Sequence, residues 1–167
     1  MPFDARAAGT LRVIERLAGS ASTDFGVPAA IAKRDTTSVP AAEGKRLASL
    51  VQAAWAVYER ILAGAPAELR KGPRGGGRDR DKIADHVLAA EGAYVRKLGL
   101  RLEPPARDDR RGLAEFRAAI TQTLERPSTG SPLVEKGWPQ RYAARRIAWH
   151  ALDHAWEIQD RSDAGKA

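Results

Sequence analysis

The sequence predicts an all-α fold, a four-helix bundle that follows a short N-terminal β-strand. Three observations lead to this prediction. Beyond Ser38, apolar residues recur with a period near 3.6 in four separate segments, which is the spacing of one helix face. Helix-starting residues precede most of these segments, and Gly or Pro follows most of them. No segment between them alternates apolar and polar residues as a strand would, so we expect helices packed on one another.

Residues 1–36 differ from the rest, and we expect them to form an N-terminal arm, with the bundle occupying 37–167. In the arm, apolar and polar residues alternate over 10–17, apart from Ile14, which predicts a short strand. A lone strand leaves its backbone N–H and C=O groups unpaired. We therefore expect this strand to pair with a second copy across a homodimer, or to be the remainder of a longer domain.

The first two helices begin and end at recognisable residues. The first is expected to start with Pro40 in its first position and to stop at Gly64. Asp79 or Asp81 caps the second, which ends at Gly99. Their apolar stripes are Leu47, Leu50, Val51, Ala54, Val57, Tyr58, Ile61 and Leu62 in the first, and Ile83, Val87, Ala90, Tyr94 and Leu98 in the second.

The third and fourth helices follow the same rules. Asp108 or Asp109 opens the third, and Pro127 closes it. A loop rich in Ser, Gly and Pro then leads to the fourth helix, expected from about Pro139 to Arg161. The inward stripe of the third helix is Leu113, Phe116, Ile120 and Leu124.

Composition excludes several classes of function. The 167 residues include 28 Lys and Arg, 21 Asp and Glu, three His and no Cys. Without cysteine there can be no disulfide framework, no Cys-ligated zinc or iron–sulfur cluster, and no cysteine nucleophile. The N-terminal residues lack a signal-peptide core, and no apolar stretch approaches the roughly eighteen residues of a membrane span. We expect a cytoplasmic protein without a membrane partner.

The three histidines are the strongest candidates for a functional site. His150 and His154 are four residues apart on the fourth helix, so they lie one turn above each other on one face. A helical wheel places both with apolar residues that face the core, and His86 takes a similar position on the second helix. A single inward His is more often a core residue than a ligand. Three of them at one point predict a divalent metal site with at least one coordination position open.

Glu157 lies one turn beyond His154 on nearly the same face. It could accept the second imidazole proton of that histidine, add a ligand to the metal, or act as a general base. The structural alternative is an ion pair with Arg146 or Arg161. We therefore regard Glu157 as the candidate catalytic residue and leave its role open.

The segment 70–82 carries six basic and two acidic side chains and holds much of the net charge of +7. Arg74 and Arg78 lie in its glycine-rich part, near a helix N-terminus, where they could hold an anion such as the carboxylate of a cosubstrate. The alternative is a solvated loop. The segment matches no phosphate-binding motif, and no aromatic residues are interleaved with its charges. We expect no nucleic-acid partner, although a nucleic-acid-binding or regulatory module using this segment is the alternative function.

Two motifs resemble those of the DinB/YfiT-like superfamily of metal-dependent four-helix-bundle proteins. They are Asp-His-Val-Leu-Ala-Ala-Glu at 85–91 and Trp-His-Ala-Leu-Asp-His-Ala-Trp-Glu at 149–157, and the likeness spans about 40–162. The resemblance implies a zinc or nickel ion bound by His86, His150 and His154, and a homodimer. It also implies a transferase or isomerase that uses a low-molecular-weight thiol as cosubstrate. The N-terminal arm and the glycine-rich loop depart from the family pattern.

Two reactions are compatible with this site. A metal at three imidazoles can activate a small thiol for attack on an electrophile, or activate water for hydrolysis. Because the chain has no cysteine, the sulfur of a thiol reaction would come from a cosubstrate. The absence of cysteine is compatible with thiol chemistry and does not establish it. A non-catalytic bundle of the same family is a third hypothesis.

Overall fold

The structure is a computed structural model that describes residues 9–10, 12–24, 26–72 and 75–162. These residues form an all-α protein in which four main helices pack together, with no β-strand among them. The elements are the short α1 (Ala21–Asp24), a 3₁₀ turn (Lys33–Thr36), α2 (Ala41–Gly64), α3 (Arg80–Lys97), α4 (Arg110–Glu125) and α5 (Gln140–Ser162). None of these helices is long and apolar enough to cross a membrane.

The four predicted helices are confirmed, with small shifts at their ends. Pro40 occupies the N-cap of α2, one position before the predicted one, and its φ of −64° suits either place. Asp109 caps α4, since its Oδ1 accepts a hydrogen bond of 2.8 Å from the backbone N–H of Gly112. Asp79 stands at the N-cap of α3, but its carboxylate turns back to accept from Leu69 N–H at 3.2 Å. Asp79 therefore ties the preceding loop to the start of α3.

The core lies around α2, which packs on both α4 and α5, while α3 packs mainly on α5. The apolar stripes read from the sequence supply most of it, because one face of each helix is closed off from water. Side chains with no solvent exposure include Val51, Ile83, Ile120, Leu124 and Ile158.

Gly44 allows α2 and α4 to approach closely. A Cβ built on this residue would lie 2.6 Å from the backbone oxygen of Glu125, at the end of α4. A real side chain is excluded at that separation unless the helices move apart. This glycine therefore sets the distance between the two helices.

The predicted strand at 10–17 is wrong for the residues described. Residues 10 and 12–17 have no strand structure, and Leu11 lies outside the described residues. Val13 is 68% exposed and Ile14 71% exposed, so these two side chains lie outside the core that the described residues form. The physical reason is the missing neighbour: the described backbone offers only an isolated bridge, Val39 to Ser128, and no edge on which residues 10–17 could form a ladder.

The residues just before α2 are fastened to α5 by side-chain hydrogen bonds. Tyr142 donates its hydroxyl to the carbonyl of Ala29 at 3.0 Å. Arg145 donates to the carbonyl of Ala30 at 3.1 Å and to the carboxylate of Asp35 at 2.5 Å. The latter part of the arm is thus held on the outer side of the helix that carries two of the three histidines. The boundary between 1–36 and 37–167 stays a prediction.

Candidate metal centre

The three histidines meet between α3 and α5. The ring centroids are 5.3 Å apart for His86 and His150, 4.9 Å for His86 and His154, and 4.6 Å for His150 and His154. One ring nitrogen from each can be chosen such that all three atoms lie within 4.8 Å of one another. The helical repeat supplies the α5 pair, and the packing of α3 on α5 brings in His86. This arrangement could hold one metal ion.

The donor set fits a divalent ion such as zinc. Imidazole nitrogens about 2.0–2.1 Å from a tetrahedral zinc lie about 3.4 Å apart, which small side-chain rotations would reach from the observed separations. Metal ligation requires neutral imidazoles. Burial lowers the pKa of His150 to about 3, with a further contribution from the neighbouring histidines and arginines. Burial and then the charge of Arg78 lower the pKa of His86. Both rings are therefore neutral at pH 7.

The cluster is more exposed to solvent at His86 than at the two histidines of α5. His150 and His154 are 8% and 7% exposed, whereas His86 is half-buried. Tyr94 adds an aromatic ring 5.7 Å from that of His150. A small molecule would therefore approach the site past His86, because the histidines on the α5 side are buried.

Glu157 makes two of the contacts that the sequence allowed, one with the imidazole of His154 and one with the guanidinium of Arg161. Its Oε2 lies 2.7 Å from Nδ1 of His154, and its Oε1 accepts from Nη1 of Arg161 at 2.8 Å. With Nδ1–H donated to this carboxylate, the lone pair of His154 Nε2 is left for a metal. The geometry favours an orienting role for Glu157, and the catalytic role expected from the sequence stays a prediction.

Arg161 connects this carboxylate to the loop before α3. Its Nε donates to the carbonyl of Arg70 at 2.8 Å, and its carbonyl accepts from Arg70 N–H at 3.0 Å. Gly77 packs against the same guanidinium, because a Cβ built there would lie 2.5 Å from Nη2 of Arg161. The glycine-rich loop is thus attached to the end of α5 that carries Glu157.

The two arginines expected to hold an anion have different outcomes. Arg78 is exposed and lies close enough to the cluster that its charge contributes to the lowered pKa of His86. Arg74 lies outside the described residues. Two other cations of segment 70–82 are paired with carboxylates: Lys71 contacts Asp79, and Arg80 contacts Asp81 at 2.9 Å. These pairs reduce the charge that the segment offers to nucleic acid.

Sequence reasoning named Arg146 only as a possible ion-pair partner of Glu157, which pairs with Arg161 instead. Arg146 is 8% exposed, and its guanidinium carbon lies 4.9 Å from the Trp149 ring and 6.0 Å from that of Tyr94. It stands one turn before His150, so the spacing that linked His150 to His154 also pointed to it. Spacing alone does not single out Arg146, because α5 contains several arginines. Arg146 differs from the others in being buried.

A second buried charge cluster, which sequence reasoning missed, lies away from the histidines. Glu91 is 2% exposed and accepts from Arg117, which also donates to Glu59 at 2.8 Å. Burial raises the pKa of Glu91, while the Arg117 charge opposes the rise. A cavity of about 560 Å³ lies beside this cluster, between α2, α3 and α4, and none of the three histidines lines it. We place the candidate site at the histidines because they converge on one point, whereas Arg117 at the cavity is already paired with Glu91 and Glu59.

Comparisons with family models, with curated proteins and with solved structures find no match to this chain. The structure itself shows an all-helical protein with a largely buried cluster of three histidines that could hold a metal ion. The likeness to the DinB/YfiT-like superfamily agrees with that architecture, and membership of the family stays a prediction.

Proposed function

We propose that this chain is a metal-dependent enzyme in which His86, His150 and His154 hold one divalent cation, zinc or nickel. The observation that carries the proposal is the convergence of one ring nitrogen from each histidine within 4.8 Å. Three protein ligands with an open position are typical of catalytic rather than structural metal sites. The lowered pKa of His150, to about 3, supports the proposal because that ring is held in the ligating, neutral form.

The site would serve either thiol or water activation. A divalent metal at such a site supplies a positive charge that lowers the pKa of a bound thiol or water. Glu157 orients His154 through Nδ1, and the half-buried His86 side admits the small molecule. Because the chain has no cysteine, a sulfur nucleophile would come from a low-molecular-weight thiol cosubstrate. The resemblance to thiol-dependent transferases and isomerases favours the thiol over the hydrolytic reaction.

The homodimer remains part of the proposal. Its support is the exposure of Val13, Ile14 and Leu17, at 68%, 71% and 44%, which a second copy could cover. Mass measured in solution by light scattering would test it, with a monomer at micromolar concentration contradicting it.

Elemental analysis of protein purified without a His tag tests the metal site. The chain has only three histidines and no cysteine, so its own imidazole and thiolate ligands are limited to the proposed set. We expect about one equivalent of a divalent metal per chain, and its loss in the double variant His150→Ala and His154→Ala. The folding control is a circular-dichroism spectrum of the double variant that matches the helical spectrum of the original protein. Metal absent from the original protein, or retained undiminished by the variant, would refute the proposal.

Turnover separates the enzyme from a non-catalytic bundle. The metal-loaded protein is to be assayed with a small thiol and an electrophile, and separately with an ester in water. Turnover that disappears in the double histidine variant supports the corresponding reaction. Metal binding without turnover in either assay would favour the non-catalytic hypothesis.

A further inference from the structure

Arg146 is a buried cation without a buried counter-charge. Its Nε and Nη1 atoms are covered from solvent and have no hydrogen-bond partner among the described residues. The aromatic rings of Trp149 and Tyr94 lie near the guanidinium, at 4.9 Å and 6.0 Å from its central carbon. Both rings attract a cation, and the Tyr94 hydroxyl takes part in a side-chain hydrogen bond with Arg146, but neither side chain carries the negative charge that a carboxylate would supply. A buried guanidinium without a negatively charged partner is costly for a fold to keep, and such groups are normally matched by an anion.

The surroundings of the histidines are short of negative charge. Among the described residues, Glu157 is the carboxylate that contacts a histidine of the cluster, through Nδ1 of His154. This carboxylate is already shared between His154 and Arg161, so it does not neutralise Arg146. A bound divalent ion would add further positive charge at the same place. The region therefore attracts anions and has a planar donor with unused N–H groups beside it.

We infer that Arg146 is the anion-recognition residue of this metal centre, and that the small molecule bound beside the three histidines carries a carboxylate. This inference rests on the proposed metal site and specifies its ligand. Arg146 lies one helical turn before His150, and side chains at this spacing leave a helix about 5–6 Å apart, which a short molecule can span. The groups that cover Nε and Nη1 would have to move aside when it binds. The fork of a guanidinium matches the two oxygens of a carboxylate.

A pair of thiols that differ only at the far end tests the inference. The protein is loaded with Co²⁺, whose absorption reports thiolate ligation, and titrated with 3-mercaptopropionate and with the uncharged 3-mercaptopropan-1-ol. We expect the carboxylate to bind roughly ten- to a hundredfold more tightly than the alcohol, which corresponds to one charge-assisted hydrogen bond in a partly buried site. Arg146→Met should abolish this preference, and Arg146→Lys should retain part of it.

Arg60→Met is the matched control, because it removes the same charge from an exposed position on α2. It should leave the preference unchanged, which distinguishes recognition by Arg146 from a general effect of net charge. Co²⁺ binding and thermal unfolding of each variant show whether the site is intact. A preference that persists in Arg146→Met, or an original protein that shows no preference for the carboxylate, overturns the inference while leaving the metal site standing. An original protein that binds no Co²⁺ refutes the metal site itself and the inference with it.

Discussion

Replacing Glu157 by Gln tests how this chain prepares His154 for a metal. In the native protein the carboxylate meets Nδ1 of His154 at 2.7 Å and Nη1 of Arg161 at 2.8 Å, with a different oxygen for each. A glutamine keeps the shape but has one oxygen where the carboxylate has two. It can serve either the imidazole or the guanidinium as acceptor, and it does so without charge. The histidine ring is then less firmly oriented and less basic.

The loss of such an outer partner lowers metal affinity about 10- to 100-fold in characterised metal sites. Each factor of ten corresponds to about 1.4 kcal/mol, so the expected loss of binding free energy is about 1.4–2.8 kcal/mol. Affinity is to be measured by competition between the protein and a chromophoric zinc chelator. The pH is held at 7.5, where His150, with its pKa of about 3, is neutral in both proteins.

Asp153→Asn is the matched control. Asp153 is adjacent to His154 on α5, and no described residue donates a hydrogen bond to its side chain. The Asp153→Asn variant loses one negative charge, as Glu157→Gln does, and its zinc affinity should stay within about twofold of that of the original protein. Glu157→Gln with unchanged affinity, or Asp153→Asn with an equal loss, would show that the orienting role assigned to Glu157 is mistaken.

Three further predictions concern the stability of the bundle. Gly44→Ala should lower the free energy of unfolding by about 1–3 kcal/mol, because the new Cβ meets a backbone oxygen of α4 at 2.6 Å. Gly64 lies at the other end of α2 with open space around it, so Gly64→Ala should leave the free energy of unfolding unchanged or raise it by about 0.5 kcal/mol. Urea denaturation would compare the two variants. Ile120→Ala should cost about 2–5 kcal/mol in the same assay, because this side chain has no solvent exposure; a loss below 1 kcal/mol would contradict the packing. Hydrogen bonding from Arg46 first, with help from a second guanidinium, lowers the pKa of Glu43 from 4.5 to about 2. The ionised Glu43 therefore stabilises the fold fully above pH 4.5, and this contribution is lost as the pH falls towards 2. Glu43→Gln should flatten the dependence of the free energy of unfolding on pH between 4.5 and 2, and an unchanged dependence would contradict the role of Glu43.

The helices could be predicted from the sequence because their signals are local. In α2 the repeat that includes Leu47, Val51 and Tyr58 is buried as expected, and the helix ends at Gly64, where the sequence indicated. The strand at 10–17 was predicted from equally local alternation and is wrong. A strand needs a partner elsewhere in the fold, which no local pattern supplies.

The candidate site divides in the same way. The α5 pair follows from the spacing of His150 and His154 alone, whereas its meeting with His86 depends on which helix packs beside α5. Arg146 and Glu91 could not be singled out from composition, because charged residues are frequent in these helices and only their packing buries two of them. Contacts across helices, rather than spacing along one helix, decide such cases.

The division of the three histidines between two helices has a mechanical consequence. α3 contributes His86 and packs mainly on α5, which contributes the other two, and the whole of α4 lies between them in the chain. An ion gripped by all three would act as a removable cross-link that closes a long loop, and its binding energy would add to the stability of the fold. Chelation should then loosen α3 before it disturbs the packing of α2 on α4, which hydrogen exchange would show. The same ion that supplies the chemistry would hold one wall of its own site in place.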